Sequence, residues 1–134
     1  MTTLTSEQIS KLRSELANNP QALEALEVIE EWDGDLADAA ESLATRNGIE
    51  GVEDQADLRW FTQILRQCHG HICQPKYKKF RENYLPALIG VIAEFLAGSL
   101  EFKPLVAGLI ATPIAIYIEQ EGIEKFCQSY NPNP

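Results

Sequence analysis

A chain of 134 residues, 45% of them apolar and with a net charge of −9, is sized for one domain with room for a small appendage, and is too apolar to be disordered. That charge disfavours nonspecific nucleic-acid binding, which needs cations to displace condensed counterions, and equally disfavours an anionic membrane surface. It is spread unevenly: residues 1–57 carry 3 Lys/Arg against 14 Asp/Glu (net −11), residues 58–84 carry 6 against 1 (+5), and residues 85–134 carry 2 against 5 (−3).

The first helix is announced by Thr5 and Gln8 at capping-box spacing, with Leu4 and Ile9 at the hydrophobic-staple positions. Ile9, Leu12 and Leu16 continue it as one apolar stripe. Asn19-Pro20 then reads as an N-cap followed by proline at the first helical position. This second helix runs to about Trp32, with Ala22, Ala25, Leu26 and Ile29 facing inward and Glu24, Glu27, Glu30 and Glu31 largely outside. Asp33-Gly34-Asp35 breaks the pattern and caps a third helix whose inner face is Leu36, Ala39, Ala40 and Leu43, ending at Asn47-Gly48. Residues 1–48 therefore form a small three-helix N-terminal region, and Ile49–Gln55 a linker.

Leu58, Phe61, Leu65, Cys68 and Ile72 recur at steps of 3, 4, 3 and 4, the seam of a fourth helix that ends or kinks at Pro75. The fifth begins with a basic, aromatic stretch (Lys76, Tyr77, Lys78, Lys79, Phe80, Arg81, Tyr84), and Pro86 predicts a kink or a new start at Leu85. Leu85–Leu100 is nearly all apolar, with a turn expected at Gly98-Ser99, and a sixth helix is expected from Leu105 to about Tyr130, bent at Pro113. Residues 56–130 make a C-terminal bundle, and the fold class is all-α: about six helices around a central apolar C-terminal hairpin.

That hairpin could be a membrane element or a protein core. Each apolar stretch is about 15–16 residues, roughly 23 Å of helix, against about 20 residues for a bilayer span. Glu94 would also lie in mid-bilayer. The expectation is a core hairpin with Glu94 at the rim, packed closely through Gly90, Ala93 and Ala97 on one helix and Ala107, Ala111 and Ala115 on the other. The run LPALIGVIAEFLAGSLEFKPLVAGLIATPIAIYIEQEG resembles small all-helical proteins of unknown function from cyanobacteria. The resemblance covers the C-terminal half and implies no activity and no site residue.

The string Cys68-His69-Gly70-His71-Ile72-Cys73 holds a tetrahedral zinc donor set. On one continuous helix His69 and Cys73 share a face, while Cys68 and His71 share another, so the four cannot close on one ion without an unwound Gly70 or an outside ligand such as Cys127. Cys68 also occupies the apolar seam. Asp33-Gly34-Asp35-Leu36-Ala37-Asp38 begins like a calcium loop, but Ala37 and Ala44 occupy ligand positions, so helix capping is the expectation. No glycine-rich phosphate loop or dinucleotide fingerprint is present.

The function expected is therefore a non-enzymatic protein–protein interaction or regulatory protein, with no cofactor and no nucleic acid. Its partner would be a protein of unknown identity, with homo-oligomers open, engaged by the acidic helices (Glu27, Glu30, Glu31, Asp35, Asp38) or by the basic cluster Lys76, Lys78, Lys79 and Arg81. One alternative is a metal- or redox-responsive helical protein using Cys68, His69, His71 and Cys73; another is a membrane-associated hairpin. Three cysteines, an odd count behind an N-terminus without an apolar leader run, predict a reducing, cytoplasmic location.

Overall fold

The structure, a computed structural model, describes residues 3–52, 59–75 and 85–129. Among these residues there are seven helices and no strand: α1 (Ser6–Glu15), α2 (Pro20–Glu31), α3 (Leu36–Arg46), α4 (Trp60–Ile72), α5 (Leu85–Ser99), α6 (Pro104–Glu121) and α7 (Ile123–Ser129). The all-α fold follows from the helical periodicity of the apolar residues.

The first three helices start where their caps require. Gln8 N–H donates to Thr5 Oγ1 (3.1 Å) and Thr5 N–H donates back to Gln8 Oε1 (2.8 Å), completing the capping box, with Leu4 and Ile9 both buried. Asn19 Oδ1 accepts the Ala22 N–H (3.0 Å) at the head of α2, and Asp35 Oδ1 accepts the Asp38 N–H (2.9 Å) at the head of α3. Between them Asp33 and Gly34 take φ of 55° and 87°. Gly34 N–H donates to Ile29 O (2.8 Å) to close α2, and Gly34 O accepts the Leu4 N–H (2.8 Å). A Cβ on Gly34 would run into the Leu4 carbonyl, so the chain start lies across the α2–α3 turn only because that residue is glycine.

α6 is the hub. Every residue from Val106 to Ile118 is buried, as expected of a helix apolar on all sides. It packs against α5, α2, α3 and α7, and one continuous apolar cluster takes in residues from all seven helices. Ala22, Ala25, Ala39 and Ala40 are fully buried, which lets α2 and α3 sit close to it. The tightest approach is at Gly108, where a Cβ would strike the Gln21 side chain from α2. α4 packs on α3 and α5; its N-cap residue Arg59 offers no side-chain cap, and Glu41 of α3 supplies one instead, accepting the Phe61 N–H (3.1 Å).

Several expectations need correction. α5 uses its small-residue stripe only in part, with Ala93 and Ala97 packed against the core. Gly90 is exposed and Ala93 and Ala97 only half-buried, whereas Leu85, Leu88, Ile89, Ile92 and Leu96 face inward, because burying large side chains removes more apolar surface from water. Gly98 and Ser99 are the last two residues of the helix; the turn comes later, with Glu101 at φ 60° and Phe102 N–H donating to Leu96 O (3.1 Å). The sixth helix of the sequence pattern is two, because Gly122 at φ 95° breaks it and starts α7 in a new direction. The residues before Leu85, on which the kink or new start expected at Pro86 depends, lie outside the described residues, and Glu94 is exposed. The start of the fourth helix at Leu58 and the basic turns of residues 76–84 lie outside the described residues. Among the described residues no helix is long and apolar enough to cross a membrane.

Candidate functional site

The Cys68–Cys73 string lies at the C-terminal end of α4, which stays helical through an exposed Gly70. Helix geometry divides the string as the spacing dictates. Cys68 is fully buried in the apolar seam with Phe61, Leu65 and Ile72, and burial pushes its thiol up to about 12. It is a core side chain rather than a nucleophile or a ligand. His71 turns elsewhere, its ring 4.9 Å from that of Phe95 on α5.

His69 and Cys73, on the shared face, both meet α7. Cys73 is joined to Cys127 by a disulfide across 54 residues of sequence. His69 Nε2 lies 2.8 Å from the Cys127 carbonyl oxygen. A carbonyl only accepts, so Nε2 carries the hydrogen and donates it. Nδ1 of the same ring is buried with no hydrogen-bond partner among the described residues. The His69 ring also lies 5.6 Å from that of Phe126, which is fully buried. Cys127 thus does come to this cluster from outside, but as a covalent partner of Cys73 and not as a fourth metal ligand. No group of three or more His, Cys, Asp or Glu side chains among the described residues has metal-site geometry. The odd cysteine count holds, as one disulfide and one buried thiol. Reading all three as residues of a reducing compartment overlooked a pairing between chain segments too far apart for spacing to suggest it.

The acidic face is mostly engaged internally. Glu30 pairs with Arg13 (3.2 Å), Glu31 with Arg46 (2.8 Å), and Asp38 and Glu41 both with Arg59 (2.7 Å each). The Glu41 hydrogen bond holds the Arg59 guanidinium above its ordinary pKa against the opposing effect of burial, with Asp38 adding to it. Asp35 caps α3. The calcium-like string is therefore cap and ion pair, as expected. Glu24 and Glu27 form no ion pair with any described residue.

These two glutamates border a hollow of about 510 Å³ formed by α2 and α3, with Val28 and Leu43 in its wall and the Glu31–Arg46 pair at its edge. Beyond Arg46 a second hollow of about 400 Å³ is lined by Trp32, Asp38, Glu41, Ser42 and Val52. Trp32 is 42% exposed, one of two large apolar side chains so placed among the described residues; the other is Leu105. The sequence pattern marked Trp32 only as the end of α2. Its exposure follows from Asp33 and Gly34 turning the chain away immediately after it. The basic cluster Lys76, Lys78, Lys79 and Arg81 falls outside the described residues.

No family model matches this chain, nor does any curated protein or solved structure.

Proposed function

We propose that the protein is a non-enzymatic interaction protein whose α2–α3 face takes a basic, partly apolar segment of a partner protein. The observation that carries this reading is the pair of adjoining hollows on that face, with exposed Trp32 at one end and the otherwise unpaired Glu24 and Glu27 at the other. The exposed indole suits one Lys or Arg side chain through its π face, and Glu24 and Glu27 suit another through charge. Aromatic anchors of this kind carry a disproportionate share of binding energy. The net charge of −11 over residues 1–57 would draw such a partner in and set the salt dependence of association.

Trp60, the other tryptophan, is buried and emits as a background, so in a Trp60→Phe variant indole fluorescence reports on the proposed face. Titration with a Lys-rich amphipathic peptide should shift that emission, with affinity falling as salt rises. The double variant Glu24→Lys/Glu27→Lys should weaken binding by tenfold or more, on the order of 1.4 kcal/mol. Binding that survives both the charge reversal and Trp32→Ala would overturn the reading.

A second reading, response to redox state at the end of α4, is favoured by the disulfide between Cys73 and Cys127.

A further inference from the structure

α7 is a poor candidate for a self-supporting element. It has seven residues, below the length at which an isolated helix persists in water. It is joined to α6 through Gly122, whose positive φ marks a change of chain direction. Its Lys125–Glu121 ion pair, at 3.8 Å, is solvent-exposed on the Lys side and contributes little. Among the described residues, what fixes it to the rest of the fold is the buried ring of Phe126, the half-buried Ile123 side chain packed against the core, the His69 Nε2–H to Cys127 O hydrogen bond, and the covalent Cys73–Cys127 link. Without the covalent link, one buried aromatic ring, one half-buried isoleucine and one hydrogen bond must outweigh the conformational entropy of seven residues.

We propose that the Cys73–Cys127 disulfide is a redox-controlled clasp, whose reduction by a dithiol releases α7 from α4 while α1–α6 stay folded. Both cysteines are only partly buried, so a reductant can reach the bond. The step is a thiol–disulfide exchange. A thiolate of the dithiol attacks one sulfur and breaks the Cys73–Cys127 bond, forming a mixed disulfide with one cysteine. The second thiol of the reductant then closes onto the first, and the protein is left with two thiols, which take up the two protons of the dithiol. The protein gains two electrons and the dithiol becomes a cyclic disulfide. Cys68 takes no part, because its side chain is sealed in the α4 seam. The chain therefore has no internal thiol poised to reshuffle the bond, and the clasp answers to an outside reductant. Release would unseat Phe126 and break the His69 bond together, so an apolar ring and the ring face of a buried histidine would be uncovered in one step.

Hydrogen exchange on the full chain, oxidised and then treated with dithiothreitol, tests this. Amide protection in residues 124–129 should fall by about tenfold or more on reduction, while α2 and α3 keep theirs. Two thiols should become titratable under native conditions and the third only on unfolding. The double variant Cys73→Ser/Cys127→Ser, without reductant, should reproduce the reduced exchange pattern. Unchanged α7 protection after confirmed reduction would overturn the proposal, since the noncovalent contacts would then suffice. Protection lost throughout the chain would also overturn it, making the link a staple for the whole fold. A disulfide that resists dithiothreitol under native conditions would do the same.

Discussion

The two ends of the molecule are held by different kinds of interaction. In α1–α3 each helix start is closed by a side chain three residues from the amide it serves: Thr5 to Gln8, Asn19 to Ala22, Asp35 to Asp38. At the other end, α4 and α6 have no side-chain cap of their own, and α7 is tied down by residues 54 and more positions away. The first arrangement tolerates loss of any one element, since each cap contributes about 1 kcal/mol. The second concentrates its dependence at a single junction. A protein built this way can change its C-terminal end without disturbing the face proposed for partner binding on α2 and α3.

The contrast is sharpest at the disulfide. Closing a loop of that length removes about 4 kcal/mol of unfolded-state entropy in the chain-entropy account, so Cys127→Ser should lower the denaturation midpoint by the largest amount of any change considered. Chemical denaturation of wild type with and without dithiol should show the same difference, and the variant none. A small effect would place the C-terminal end on the same footing as the N-terminal one. Gly34→Ala comes next, at about 3 kcal/mol, combining left-handed backbone strain with loss of the Leu4 N–H to Gly34 O bond. Thermal melting measures it. A loss under about 1 kcal/mol would show that the chain start moves aside cheaply and that the N-terminal region is held only by its local caps.

The sequence was most legible where interactions are local. Thr5, Asn19, Asp35 and the Asn47-Gly48 stop announce themselves because capping chemistry acts within three or four residues. The apolar pattern also shows which residues share a face, and hence the buried seam Phe61, Leu65, Cys68 and Ile72. It does not show which of two faces turns fully inward, which is why Gly90 was expected in a contact while it is exposed, and Ala93 and Ala97 lie only at the margin of the core. Spacing on α4 correctly separated His69 and Cys73 from Cys68 and His71, but could not show that the first pair meets α7, since Gly122 redirects the chain by a backbone angle that composition does not encode. The exposure of Trp32 is likewise a consequence of tertiary placement, and no periodicity announces it.

Two smaller effects refine the comparison. Asn19→Ala should cost about 1 kcal/mol, and the loss should be confined to α2 in hydrogen exchange if capping there is as local as it looks. Where α6 leaves the core it meets α1 through polar side chains, with Gln8 Nε2 donating to Gln120 Oε1 at 3.4 Å. Glu119 stands beside them, its pKa raised by partial burial and by the nearby Glu15, with Lys11 acting the other way. A carboxyl raised in the folded state binds its proton more tightly there than in the unfolded chain. Its stabilising contribution is therefore present below the ordinary glutamate range and is lost as pH rises through the raised value. Glu119→Gln should accordingly match wild type in acid and melt slightly higher at neutral pH. Because the group is exposed, solvent screening limits the gain to about a few tenths of a kcal/mol. A melting difference that does not change with pH would mean that Glu119 feels neither α1 nor its own burial. The α1–α6 contact would then be a surface adjacency, leaving α2 and α3 as the links between the N-terminal helices and the hub.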